Sequence, residues 1–167
     1  MNVEWSAFLE RAGARLENGW VVHFGRPDVE RWAALHGDIC GDRSDQGLIA
    51  AHGLDADQFL QGQLTCDVLQ VTPNRSRIGA YCTPKGRVLA CLRLFRREEA
   101  LYLALPRALV EHTLTRLRRY VLRAKVRLED ASDRWTRIGV AGPNADALLT
   151  KLLGAVPRAA DEVVQAP

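Results

Sequence analysis

Two apolar runs, 77–82 and 87–95, flank Thr83-Pro84-Lys85-Gly86, and this segment constrains the fold more than any other. Pro84 presets the first turn residue and Gly86 supplies a positive φ at its end, so the runs read as antiparallel strands of one hairpin. With a two-residue loop of Pro84 and Lys85, Ile78 faces Cys91 and Ala80 faces Leu89. One face then carries Ile78, Ala80, Leu89, Cys91 and Phe95, and the other Gly79, Tyr81, Val88, Ala90, Leu92 and Leu94. A bulge at Gly86 shifts the pairing by one, which leaves open the side that carries Tyr81 relative to Cys91. Both faces are largely apolar, so the hairpin is expected to lie between two layers or to line a cavity, core packing being the more frequent role of such residues.

The flanking signals extend this unit. Leu48, Ile49 and Ala50 form a short strand stopped by Gly53, and Asp55 is placed to cap a helix over 56–64. A third strand over 101–105 ends at Pro106, which opens a helix with Val110, Leu114, Leu117 and Val121 on one face. Strands over 126–128 and 136–140 follow, then Gly142-Pro143-Asn144 and a helix over 145–153. The order β, α, β, β, β, α, β, β, α argues for an α+β fold, a mostly antiparallel sheet with helices packed on one side, and against a doubly wound parallel sheet. Upstream, Phe8, Leu9 and Leu16 sit at near-helical spacing, 25–28 breaks the chain, a short helix spans 29–35, and 37–47 breaks it again. The expected organisation is a helical leader over 1–45, an α+β domain over 46–134, and the start of a further segment over 135–167.

Composition narrows the function classes. A chain of 167 residues, 47% hydrophobic, folds around a core and is neither disordered nor collagen-like. Twenty of its 23 basic residues are Arg, but the net charge is only +3, so direct nucleic-acid binding is not expected. Nothing approaches the roughly 18 apolar residues of a membrane span, and no secretory leader pattern is present, so the expectation is a soluble cytoplasmic protein without a membrane partner. Cys40, Cys66, Cys82 and Cys91 form no C-x-x-C, which suits reduced, mostly buried thiols and neither a zinc site nor a disulfide scaffold. G-x-G-x-x-G and Walker loops are absent. His112 has only Glu111 nearby, and His23, His36 and His52 are isolated in sequence, so no relay is expected. The basic cluster Arg116, Arg118, Arg119, Arg123, Lys125 and Arg127 reads as a solvated helix face before an anion site, because the apolar stripe already accounts for the helix.

Several segments are then familiar in order. Asp42-Arg43-Ser44-Asp45-Gln46-Gly47 resembles a D-x-S-H-x-G segment, and Phe59 to Val68 resembles F-L-Q-G-Q-L-T-N-D-V. The hairpin 81–89 is similar to T-P-K-G-x-V-L, 120–126 to Y-V-L-R-S-K-V, and Ile138 to Pro143 to a strand entering Gly-Pro. Together they resemble the folate-binding YgfZ proteins and their relatives, the glycine-cleavage T-proteins (aminomethyltransferases), over about residues 42–150, with wording nearer to YgfZ.

The resemblance implies an aminomethyltransferase folate-binding domain-like fold with tetrahydrofolate as cofactor. On that basis the ring-facing wall is Ile78, Cys91 and Phe95, with Tyr81 as a polar contact and Thr65 and Asp67 ordering the loop after the first helix of the main domain. Thr65 and Asp67 are as readily plain turn and cap residues. Cations for the folate tail are sought in Arg75, Arg77 or the Arg116 to Arg127 cluster. T-proteins carry an acidic pair where this chain has Ala90 and Cys91, and tyrosines where it has Ile78 and Phe95. A thiol near its ordinary pKa of about 8.5 is mostly neutral and does not replace a carboxylate, so aminomethyl transfer is expected to be lost and no catalytic or metal residue is assigned. What remains implied is a folate-dependent role in iron-sulfur cluster assembly or repair, with iron-sulfur client enzymes as partners and tRNA modification as the outcome. An active aminomethyltransferase and an RNA-interaction module on the arginine helix are the rival readings. The family's K-G-C-Y-x-G-Q-E segment does not occur, so a truncated copy is expected.

Overall fold

The structure is a computed structural model and describes residues 2–165. Among them the chain runs α1 (Val3–Arg11), β1 (Arg15–Glu17), β2 (Trp20–His23), α2 (Pro27–His36), β3 (Ile39–Asp42) and β4 (Gln46–His52). It continues through α3 (Ala56–Gln61), a 3-10 turn (Val68–Gln70), β5 (Arg77–Cys82), β6 (Val88–Arg97), β7 (Ala100–Pro106), α4 (Val110–Arg118), β8 (Arg127–Asp130), β9 (Ile138–Ala141) and α5 (Ala145–Leu153). Two compact units result. One joins the described residues up to Asp45 with Asp133–Val156, and the other joins Gln46–Ser132 with the described residues from Pro157 onward.

The larger unit is a five-stranded antiparallel sheet in the order β5-β6-β7-β4-β8, the α+β arrangement expected from the sequence. Alternation decides its core. Tyr81, Leu92, Leu94, Leu103, Leu105 and Ile49 share one face and pack under Ala56 and Leu60 of α3 and Val110, Leu114 and Leu117 of α4. Burying each large side chain contributes about 1.5–3 kcal/mol. Gly47 permits the close approach of α4 to β4, since a Cβ there would stand 2.3 Å from Val110 Cγ2 and 3.2 Å from the Arg107 Cα. α3 is tied to the sheet by Arg96, whose Nη2 lies 2.7 Å from Asp57 Oδ2.

Three local expectations change. Asp55 does not cap α3 with its side chain. Its Oδ2 instead accepts the Lys125 N–H at 2.7 Å and ties down the loop before β8. α3 ends at Gln61 and not at 64, and Leu64 then pairs as an isolated bridge with Tyr81 along the outer edge of β5. α4 ends at Arg118, so Val121 packs on the core from beyond the helix.

In the smaller unit the first 45 residues carry strands as well as helices. β1 and β2 form a hairpin whose turn, Asn18-Gly19, has φ values of 51° and 79°. β3, inside the segment expected as a break, pairs antiparallel with β9, Cys40 opposite Val140. Asp38 fastens the entry to α5, accepting the Asn144 N–H at 2.7 Å and its Nδ2–H at 2.9 Å. These bonds, the side-chain one foremost, hold the Asp38 carboxyl below the usual carboxylate range. Among the described residues no helix is long and apolar enough to cross a membrane.

Candidate functional site

The hairpin turn closes by three bonds. Thr83 N–H donates to the Arg87 carbonyl at 2.8 Å, Gly86 N–H to the Thr83 carbonyl at 2.9 Å, and Arg87 N–H to Thr83 Oγ1 at 3.1 Å. This longer loop, with an irregularity between Tyr81 and Cys82, moves the register. Ile78 lies opposite Arg93 and Ala80 opposite Cys91, in place of the expected Ile78–Cys91 and Ala80–Leu89 pairs. A slip of two residues keeps every side chain on its expected face, whereas a slip of one would have exchanged the faces.

Ile78, Cys91 and Phe95 therefore share one face of the sheet. Ile78 is 61% exposed, Cys91 is exposed, and half-buried Phe95 stacks on buried Tyr102 with ring centroids 5.4 Å apart. Tyr81 is on the other face, 3% exposed, inside the helix-covered core. Of the two expectations for the hairpin, burial between two layers does not hold for Ile78 and Cys91. Beside Phe95, Val163, Val164 and Gln165 close a recess of about 320 Å3.

Arg93, which the sequence reading passed over, stands between Cys91 and Phe95 on the same face. Its Nη1 lies 2.7 Å from Asp161 Oδ1 and 2.7 Å from Ser76 Oγ. Period-two spacing from Cys91 was the signal that pointed to it. Arg77 is held by Gln70 Oε1 and stands 3.7 Å from Asp161. Both arginines are thus partly neutralised by the 157–165 segment.

Thr65 and Asp67 act in the chain's own structure. Thr65 Oγ1 accepts the Ala80 N–H at 2.8 Å, and its N–H donates to the Ala80 carbonyl at 3.0 Å. Between them Cys66 lies over Gly79, where a Cβ would stand 2.6 Å from its Sγ. Burial pushes the Cys66 thiol up, so it is mostly neutral. Asp67 caps the 3-10 turn, with Oδ1 accepting the Leu69 N–H at 3.2 Å and Oδ2 the Gln70 Nε2–H at 2.7 Å.

The basic cluster divides by function. Arg118 donates to the Leu128 carbonyl at 2.8 Å and Arg127 pairs with Glu129 at 2.7 Å, while Arg116 turns toward the hairpin tip. His52, isolated in sequence, meets Glu129 at 3.1 Å. In the smaller unit a cleft of about 740 Å3 is lined by Trp20, His23, Phe24, Glu30 and Asp42 among others. Its carboxylates are engaged internally: Glu30 caps the Phe24 and Arg26 N–H groups, and Asp42 accepts from Trp5 Nε1 at 2.8 Å and Ser44 Oγ at 2.7 Å. Among the described residues no cluster of three His, Cys, Asp or Glu side chains suits a metal ion.

A five-stranded antiparallel sheet with helices on one face and an open apolar hairpin on the other defines an aminomethyltransferase-type domain. Residues 28–163 match the family model described as the GCVT N-terminal domain, and the chain belongs to that family. Its curated relatives include the tRNA-modifying protein YgfZ of Klebsiella pneumoniae, 38% identical over 120 residues, which are 72% of this chain and 36% of that protein. The YgfZ of Photorhabdus laumondii is 34% identical over 120 residues, 72% and 36% of the two chains. The chain thus spans about a third of the length of these relatives. The crystal structure of glycine cleavage system aminomethyltransferase T from Bartonella henselae shares the fold at a TM-score of 0.75 and 20% identity, covering 94% of this chain and 44% of that one.

Proposed function

We propose that the open face of β5 and β6 is one wall of a tetrahydrofolate site in a YgfZ-type protein that binds folate without transferring an aminomethyl group. The observation that carries this reading is the pairing of an exposed apolar face with a half-buried aromatic, Phe95, on strands whose reverse side buries Tyr81, Ala90, Leu92 and Leu94. A flat ring is held by such a surface through area burial and stacking. Tyr81, turned into the core, supports the wall from behind and offers no contact to a ligand on this face. Thr65 and Asp67 fix the loop that borders β5.

Binding without transfer follows from Cys91. T-proteins bring a carboxylate to this point of the hairpin, and a thiol does not stabilise the positive charge that develops on a transferred aminomethyl group. In a longer protein of this type the bound folate serves iron-sulfur cluster assembly or repair in client enzymes, and through them tRNA modification, in the cytoplasm.

Calorimetric titration with tetrahydrofolate tests the reading, with ATP as a control and with Cys91→Asp and Phe95→Ala variants alongside. Saturable folate binding that Phe95→Ala weakens by about tenfold is the expected result, from the lost aromatic area. Failure of the folded chain to bind folate, or binding indifferent to Phe95→Ala, overturns it. Turnover of an aminomethyl donor by the unmodified chain would instead favour the transferase reading.

A further inference from the structure

On the helix-covered side of the hairpin, away from the open face, three cations line one recess that no carboxylate lines among the described residues. Lys85 and Arg87 at the hairpin tip and Arg116 of α4 line a recess of about 460 Å3 together with Thr83 and Pro84. Thr83, Pro84 and Arg116 also line a neighbouring recess of about 350 Å3, whose walls include Leu64, Tyr81 and Tyr120. Among the described residues no Asp or Glu lines either recess. In the same unit Arg93 pairs with Asp161, Arg96 with Asp57 and Arg127 with Glu129. The Arg116 Nε is buried and has no hydrogen-bond partner among the described residues. A guanidinium with a buried donor lacking an acceptor is costly, and an oxyanion in the recess that Arg116 lines offsets part of that cost by pairing with its charge.

We propose that the hairpin tip and α4 form a nucleotide site, with the phosphate held by Arg116, Lys85 and Arg87 and the base lying against Tyr120 and Pro84. Three positive charges arriving from two elements suit the dianion of a phosphate ester better than a single carboxylate, and the guanidinium fork matches its oxygens. Tyr120 is 47% exposed at the edge of the recess, and a half-exposed aromatic beside cations is a stacking platform for a base. The site is independent of the folate reading, because Tyr81 and α4 belong to the face opposite Ile78, Cys91 and Phe95. The same chemistry is offered by a free nucleotide or by a nucleotide within RNA.

Calorimetric titration of the whole chain with AMP, pyrophosphate and a single-stranded RNA octamer distinguishes these sources. Arg116→Gln, Lys85→Gln, Tyr120→Ala and Phe95→Ala variants are compared, each checked for folding by circular dichroism. AMP is expected to bind saturably, and Arg116→Gln or Lys85→Gln to weaken AMP and pyrophosphate by about tenfold, the effect of one charge-assisted contact. Tyr120→Ala lowers AMP affinity about threefold and leaves pyrophosphate unchanged, and Phe95→Ala changes neither. RNA binding that AMP displaces assigns the site to RNA, and AMP binding without RNA binding assigns it to a free nucleotide. Absence of AMP binding, or AMP binding unaffected in folded Arg116→Gln and Lys85→Gln proteins, overturns the proposal.

Discussion

The two faces of the β5–β6 hairpin are both rich in apolar residues, yet one is covered far more than the other. On the helix side Tyr81, Ala90, Leu92 and Leu94 are buried under α3, α4 and the 65–71 segment, whereas on the reverse side Ile78 and Cys91 meet solvent. Alternation along a strand states which residues share a face. Whether a second layer lies over that face depends on segments distant in sequence, here α3 and α4 for one side and 157–165 for part of the other. The uncovered apolar face is the one to which the proposed function assigns folate.

The largest expected difference between the faces is in stability. Leu94→Ala empties a fully buried site and is expected to cost about 2–4 kcal/mol, while Ile78→Ala on the open face costs less than about 0.5 kcal/mol. Urea denaturation of the two variants checks this, and equal losses would erase the distinction. Gly79→Ala sharpens it at one position. A methyl group there meets Cys66 Sγ at 2.6 Å and is expected to destabilise by about 1–3 kcal/mol, with partial recovery when Cys66→Gly is added. A near-neutral Gly79→Ala would show that the 65–67 loop does not rest on β5.

Smaller again is the effect of releasing the 157–165 segment. Asp161→Ala removes the partner of Arg93 and is expected to cost about 0.5–1 kcal/mol, a loss that shrinks as salt is added. A thermal shift series in rising salt measures it, and an unchanged melting temperature would mean that the segment contributes nothing. The two cysteines give a chemical version of the comparison. The thiolate is the reactive form, and burial raises the Cys66 thiol, so at pH 8 alkylation of exposed Cys91 runs ahead of Cys66. Peptide mapping over time reads the order, and a faster Cys66 would contradict the packing described for the 65–67 loop.

Much of the larger unit was legible in the sequence because its signals are long and strong. Thr83-Pro84-Lys85-Gly86 set the hairpin, and Val110, Leu114 and Leu117 marked the face of α4. The register slipped by two because the turn closes through Thr83 and Arg87 and not around Pro84 and Lys85 alone, and because the pairing shifts once more between Tyr81 and Cys82. Residues 1–45 were read as a helical leader because β1, β2 and β3 are only three or four residues long, although Asn18-Gly19 is a strong hairpin signal. Of the candidate wall, Ile78, Cys91 and Phe95 emerged on one face by parity alone. The inward turn of Tyr81 depended on the register, and Arg93 was legible only once that face was followed past Cys91.

Cys91 reports most directly on the central claim, since it stands on the open face itself. Its alkylation rate by a maleimide is to be measured by mass spectrometry with and without saturating tetrahydrofolate, with Cys66 in the same sample as the internal reference. The account predicts that folate slows modification of Cys91 by about tenfold and leaves Cys66 unchanged, as occlusion of one face requires. Equal rates at Cys91 with and without folate, in a chain shown to be folded, would contradict the assignment of this face to folate.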